Sequence, residues 1–247
     1  MTGSGASPDD LLGNRLLAAL PDAERERLFP LLKRVDLELS ERLYRPGERI
    51  DALWFPMRGV CSIVAELDGP DVEVATVGDE GVVGLPVFLG VGIPTERAVC
   101  QVPGWGWRMD ADLFRQELAL VDGPLQHVMQ LYTQTMFTQL ARNAACNRSH
   151  RTRQRCARWL LMTADRMHSN QFLLTQKFLA QMLAVRRSSV SEVAGALAEE
   201  GCISYHRGTI TVLDRERLEA RACGCYRALR ESIDAVLPPA PVPSGGA

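Results

Sequence analysis

No stretch of this sequence approaches the roughly 18 consecutive apolar residues that a membrane-spanning helix needs. The opening residues, Met1-Thr2-Gly3-Ser4-Gly5-Ala6, lack the basic and apolar regions of a signal peptide, so a cytoplasmic location is expected. Histidine is scarce: His127, His150, His168 and His206 are the only four, and none lies between Leu37 and Met109. That absence argues against a metal-dependent enzyme built inside the strand-rich region, which needs two or three converging imidazoles. There is no nucleophile motif, and Gly90-Val91-Gly92 is too short for a phosphate-cradling loop. No enzyme is expected. The seven cysteines are odd in number and lack paired spacings, which fits reduced thiols better than a disulfide framework. Cys223-Gly224-Cys225 is the one close pair; with a third ligand it could hold zinc or oxidise reversibly, and it could equally be small apolar packing.

What is present is ordinary in composition and uneven in charge. Hydrophobic residues make up 46% and charged residues 23% of 247, enough for one large domain or two modest ones. Residues 1–147 carry 13 Lys and Arg against 21 Asp and Glu, a net of −8, whereas residues 148–247 carry 15 against 9, a net of +6. An acidic front and a basic back imply two units with different partners, nucleic acid belonging to the second.

The basic half holds the most specific pattern. Thr175 is placed to cap a short helix over Gln176 to Met182, a break follows at Leu183-Ala184-Val185, and a second helix runs from Arg186 to about Ala198. Leu179, Leu183, Val185, Val190 and Val193 can meet between the two helices, leaving Arg186, Arg187, Ser188, Ser189, Ser191 and Glu192 outward. A protruding helix start rich in Arg and Ser suits the major groove, where Arg bonds guanine edges and Ser bonds bases or phosphates. Gly201 ends the helix, and Cys202 to Tyr205 and Thr209 to Leu213 alternate like paired strands about His206-Arg207-Gly208, so Arg207 would tip a wing against phosphate. The rival reading is a helical hairpin beside an unrelated ribbon. Thr175, Gln176, the outward set and Arg207 are the expected double-stranded DNA contacts.

From Leu37 to Met109, short strand candidates alternate with turns at Pro46-Gly47, Arg58-Gly59, Asp68-Gly69-Pro70, Gly78-Asp79 and Pro103-Gly104, a jelly-roll pattern. Two short helices, Leu11 to Leu20 and Pro21 to Leu32, precede it. A long helix spans Gly123 to Cys146, with Leu125, Met129, Tyr132, Met136, Leu140 and Asn143 three or four apart and Val128, Leu131 and Phe137 on a second flank. A helix apolar on two sides implies two partners, its own barrel and a second copy of itself; a core helix in a monomer is the alternative. Arg148, Arg151, Arg153, Arg155 and Arg158 crowd the following junction, either as a solvated hinge or as phosphate contacts. The fold class is α+β, divided as a sensor over 1–122, a dimerisation helix over 123–147, a winged helix-turn-helix over 148–237 and a disordered tail over 238–247.

Jelly roll, long helix and winged helix in this order resemble the Crp/Fnr family of bacterial transcription regulators. The most specific stretches are Pro46-Gly47-Glu48, Gly78-Asp79-Glu80-Gly81-Val82-Val83-Gly84 and Leu174 through Ser191. The resemblance implies a homodimer that senses a signal in its barrel, alters how two recognition helices meet promoter DNA, and contacts RNA polymerase. In cyclic-nucleotide-binding members, a Glu following the Gly matched by Gly84 bonds the ribose, and a later Arg holds the phosphate. Here Leu85 follows Gly84, and Arg97 stands near the phosphate position either as ligand contact or as a barrel-rim residue. An aliphatic side chain cannot accept the ribose hydroxyl, so a cyclic nucleotide is disfavoured and no other cofactor is called for. The iron–sulfur branch uses an N-terminal Cys cluster, and no Cys precedes Cys61. Arg187 matches the family's guanine-reading Arg, while Ser188 and Glu192 stand where Glu and Arg are common, so operator preference need not follow the best-known consensus. Ala184 replaces the usual turn Gly.

Overall fold

Asn14 sets the geometry of the amino-terminal helices. Its side-chain oxygen accepts from the Leu17 N–H at 3.1 Å, and its amide donates to the carbonyls of Pro56 and Gly81 at 2.8 and 2.9 Å. One buried amide thereby caps a helix and seats it on the sheet. A 3-10 turn over Pro8–Gly13 leads into α1 (Arg15–Ala18) and α2 (Asp22–Leu28). The expected helix to Leu32 is corrected here. Pro30 supplies no N–H and disfavours helix before it, so α2 stops at Leu28, Phe29–Leu31 makes a tight turn, and Leu32 opens a strand.

The computed structural model describes residues 7–68, 71–120 and 123–239. The lead over 1–6, Gly69-Pro70 of one expected turn, and the tail from residue 240 onward lie outside the described residues. Strands β1 (Leu32–Leu37), β2 (Arg42–Tyr44), β3 (Ala52–Ala65) and β4 (Val72–Val77), the one-turn helix α3 (Leu85–Phe88), β5 (Arg97–Asp110) and α4 (Ala111–Leu120) complete the front half. The sheet is antiparallel in the order β1-β5-β3-β4, with β2 also on β5. This is the jelly-roll-type architecture expected, with its strand ladder left open instead of closed into a barrel. Two strands expected to break at Arg58-Gly59 and Pro103-Gly104 run through instead. The register shifts on both sides of Arg58, which faces Trp105. A Cβ on Gly104 would lie 2.2 Å from the Arg58 carbonyl oxygen, so the two strands approach there only because Gly104 lacks one.

The back half begins with α5 (Pro124–Ser149), followed by α6 (Thr152–Met167), β6 (Gln171–Leu173), α7 (Gln176–Leu183), α8 (Arg187–Glu199), β7 (Ile203–His206), β8 (Thr209–Val212), α9 (Arg215–Arg221) and α10 (Cys225–Asp234). Its small sheet has the order β6-β8-β7. The stripe assigned to dimer contact faces inward on α5: Leu125, Met129, Tyr132 and Met136 are buried in the same apolar cluster as the sensor sheet. Asn143 donates to the Val74 carbonyl at 2.9 Å. Of that set Leu140 alone is exposed, next to Phe137, which is 61% exposed. The reason is arithmetic on a helix wheel: residues three and four apart make one face, and the sheet took it.

Sensor and reading head are joined by charge buried in protein. The Arg166 guanidinium on α6 donates to both Glu80 carboxylate oxygens, at 3.0 and 2.5 Å, and to Thr76 Oγ1 at 2.5 Å. A Cβ on Gly78 would sit 2.5 Å from the Arg166 side chain, and one on Gly81 would sit 2.3 Å from the Tyr132 ring. The Gly-Asp-Glu-Gly turn therefore uses glycine for close approach on both sides. Asp79 faces His168 Nε2 at 2.9 Å, and its carboxylate pulls the imidazole pKa upward.

Glu73 of β4 lies in the same wall. Ser62 Oγ has Glu73 and Gln101 oxygens at 2.7 and 2.8 Å, and one hydroxyl proton cannot serve both. With Gln101 so oriented, the trio is complete only when Glu73 is protonated and donates to Ser62. Burial pushes the Glu73 carboxyl up to about 7. A folded pKa above the unfolded value of 4.5 means that stability is fully present below 4.5 and is lost as pH rises through 7. Chemical denaturation across pH 4 to 8 should show that loss, and Glu73→Gln should flatten it; an unchanged slope in the variant would assign the dependence to other groups.

Candidate nucleic-acid interface and sensor cavity

The reading head is built around a short apolar knot. Thr175 caps α7, its Oγ1 accepting from the Phe178 N–H at 3.3 Å. Phe178, Leu179, Met182, Leu183, Val190 and Leu197 are buried together, which leaves the start of α8 outside. Arg186, Arg187, Ser188, Ser191 and Glu192 are exposed, and Ser189 is half-buried. Among the described residues no carboxylate lies in ion-pair range of Arg186, Arg187 or Arg207. Thr175 and Gln176 are half-buried at the start of α7.

The turn between the helices carries local strain. Ala184 has φ 50° and ψ 47°, a left-handed conformation that an Ala side chain resists. It is held by tertiary contact: Arg155, on α6, reaches the Leu183 carbonyl, and the Val185 N–H donates to the Ala180 carbonyl at 3.0 Å. The wing is a two-residue hairpin, His206 facing Thr209, with Arg207 at φ 48° and Gly208 at φ 81°. Positive φ at both central positions matches the natural twist of paired strands and lifts the exposed Arg207 to the tip.

The arginine-rich junction divides. Arg155 and Arg158 are buried, the second donating to Asn143 Oδ1 at 2.8 Å. Arg153 pairs with Glu200, which also holds Arg221 at 2.5 Å. Neither expected reading, solvated hinge or phosphate contacts, holds for the whole run; Arg148 and Arg151 are the exposed members. Position along the helices explains it: α6 is covered on nearly every side from Arg155 to Ala164, whereas Arg148 ends α5 and Arg151 precedes α6.

In the sensor, Gly84 and Leu85 line a cavity of about 180 Å³ with Tyr44, Ile63, Val82 and Glu96. Arg97 does not line it. Its guanidinium donates to Glu66 and Asp71 at 2.6 and 2.7 Å on the rim. Among the described residues the one charge on the cavity wall is Glu96, which repels a phosphate. Met136 and Leu140 of α5 close the cavity's far side. His127 is exposed on α5 and Cys61 is buried in the sheet. Cys223 and Cys225 meet Cys146 and His150, two partners that distance in sequence hid.

Comparison with known proteins agrees with the geometry. Residues 154–221 match the Crp-like helix-turn-helix domain. No curated protein matches the chain. Among solved structures, FixK2 of Bradyrhizobium japonicum superposes with a TM-score of 0.66 at 14% identity, covering 78% of this chain and 98% of its own. The c-di-GMP-responsive global regulator CLP of Xanthomonas campestris gives 0.62 at 16%, covering 78% and 100%. A CRP-family transcriptional regulator of Thermus thermophilus gives 0.62 at 22%, covering 77% and 96%. No described helix is long and apolar enough to cross a membrane.

Ala184→Gly removes the left-handed penalty while adding freedom to the unfolded chain, for a net gain of about 0.5–1 kcal/mol. A rise in melting temperature with unchanged DNA affinity is the expected result, and a fall would show that the turn needs the methyl group.

Proposed function

We propose that this chain, a Crp/Fnr-type transcription regulator by its helix-turn-helix domain and whole fold, binds DNA as a homodimer whose sensor cavity is coupled to the reading heads through α5. The observation that carries the reading is the exposed, unpaired cationic start of α8 beside an arginine-tipped wing. Arg187 is assigned to a base edge, Arg186 and Arg207 to phosphates, and Ser188, Ser189, Ser191 and Glu192 to the groove face, with Thr175 and Gln176 at the backbone of the duplex. One reading head covers half a site, so two heads a DNA turn apart require a pair. RNA polymerase is the expected further partner.

Phe137 and Leu140 supply the pairing face. The same helix buries its opposite side against the sensor, and its Met136 and Leu140 touch the cavity. A ligand that fills the cavity therefore presses on the element that carries the second subunit, which shifts the balance of head separations. Small size, apolar walls and an acidic group favour a small neutral or apolar effector over a cyclic nucleotide. The unit boundaries at 122/123, 147/148 and 237/238 belong to this same division of labour.

Selection of bound sequences from a random duplex pool, with and without cyclic nucleotides, should yield a two-fold symmetric site that nucleotides do not change. Arg187→Ala should relax selectivity at one base pair of each half-site and cost about 1–3 kcal/mol; uniform weakening across sequences would make it a phosphate contact instead. Phe137→Glu should shift sedimentation toward the monomer and abolish symmetric binding, whereas an unaltered dimer would place the pairing face elsewhere.

A further inference from the structure

Three cysteines and a histidine converge at the base of the reading head. Cys146 and His150 lie one helical turn apart at the end of α5, and Cys223 and Cys225 flank the start of α10. All four ligand atoms lie within 4.8 Å of one another. Cys146 Sγ is 3.5 Å from Cys223 Sγ, and Cys225 Sγ is 3.7 Å from His150 Nδ1. Zinc–sulfur bonds of about 2.3 Å and zinc–nitrogen bonds of about 2.0–2.1 Å in a tetrahedron require sulfur–sulfur edges of about 3.8 Å and sulfur–nitrogen edges of about 3.6 Å. The Cys146–Cys223 and Cys225–His150 separations of 3.5 and 3.7 Å lie close to those edges, and the other pairs stay within 4.8 Å.

Burial and electrostatics separate these cysteines from the others. Cys61, Cys100, Cys156 and Cys202 sit among aliphatic and aromatic side chains of the two main cores. Cys146, Cys223 and Cys225 form a cluster of their own, 0%, 4% and 6% exposed, in which thiols face thiols. Cys61 and Cys100 also face each other across β3 and β5, yet among the described residues no third ligand joins them. Three thiolates and one imidazole around a divalent ion leave one net negative charge, and the buried Arg158 acts on all three sulfurs with the opposite sign.

We propose that Cys146, His150, Cys223 and Cys225 form a structural zinc site. The ligands bracket the Crp-like domain at 154–221, two just before it and two just after. The ion therefore closes the whole winged helix into one loop and fastens its far end to the helix arriving from the sensor. Closing so long a loop removes freedom from the unfolded head, and metal binding becomes part of its folding free energy. Soft sulfur donors in a closed tetrahedral set select zinc over magnesium or calcium, which take oxygen.

Elemental analysis of the full-length protein, purified under reducing conditions and reconstituted with zinc, should find one zinc ion per chain. Cobalt substitution should give the intense visible bands of a tetrahedral thiolate site. Cys225→Ser and His150→Ala should each lose the bands and the bound zinc. His150→Cys, which restores a fourth ligand, and Cys202→Ala, which lies outside the cluster, should keep them; these two variants separate loss of a ligand from loss of fold. Chelation should lower the melting temperature of the wild type and leave Cys225→Ser unchanged. Zinc absent from the reduced wild type, zinc retained in full by Cys225→Ser, a Cys146–Cys223 disulfide in its place, or an iron–sulfide chromophore on the same residues would overturn the proposal.

Discussion

Arg166 is the constraint on which the molecule turns. A guanidinium buried between the two halves is tolerable only because Glu80 accepts from it twice and Thr76 accepts through both its hydroxyl and its carbonyl. Removing either partner would leave a charge without solvent or counter-ion, a loss of roughly 3–5 kcal/mol. The pair therefore does little to raise stability above that of an apolar contact, and much to set one relative position of the two halves. Glycines at 78 and 81 let the turn after β4 approach α6 and α5 at the same place, so the front sheet, the long helix and the base of the helix-turn-helix half share one joint.

Around that joint the arginines have distinct tasks. Arg166 and Arg155 point inward, one gripping a carboxylate and the other the last carbonyl of α7. Arg186, Arg187 and Arg207 point outward with no acid beside them among the described residues. Unpaired exposed cations keep their whole field for a polyanion, and docking on DNA then releases counter-ions from its surface. The left-handed Ala184 fixes the direction in which α8 leaves α7. The Cys146, His150, Cys223 and Cys225 cluster brings the far end of the same domain back to the end of α5.

The cavity of the front half has walls unsuited to an anion. Leu85 removes the acceptor that a ribose needs, Arg97 is tied to Glu66 and Asp71, and Glu96 places negative charge on the wall. Each change alone would weaken an anion; together they make the cavity hostile to one. Met136 and Leu140 of α5 line the same cavity, so the long helix forms part of its wall.

By itself the sequence determined the parts: period-2 and helical patterns, caps and turn residues are local, so α7, α8, the wing, the long helix and an α+β order could be read directly, as could the outward Arg187 and the missing cavity acceptor. It was silent on β1, which follows a Pro-bearing turn and pairs with residues more than sixty positions away, and it broke β3 and β5 at glycines that the sheet uses as bulges. Only tertiary structure decided which face of α5 is free, which of the junction arginines are buried, and that His150 stands beside Cys225. Those outcomes depend on what packs against each element, and contacts between residues distant in the chain have no periodicity to betray them.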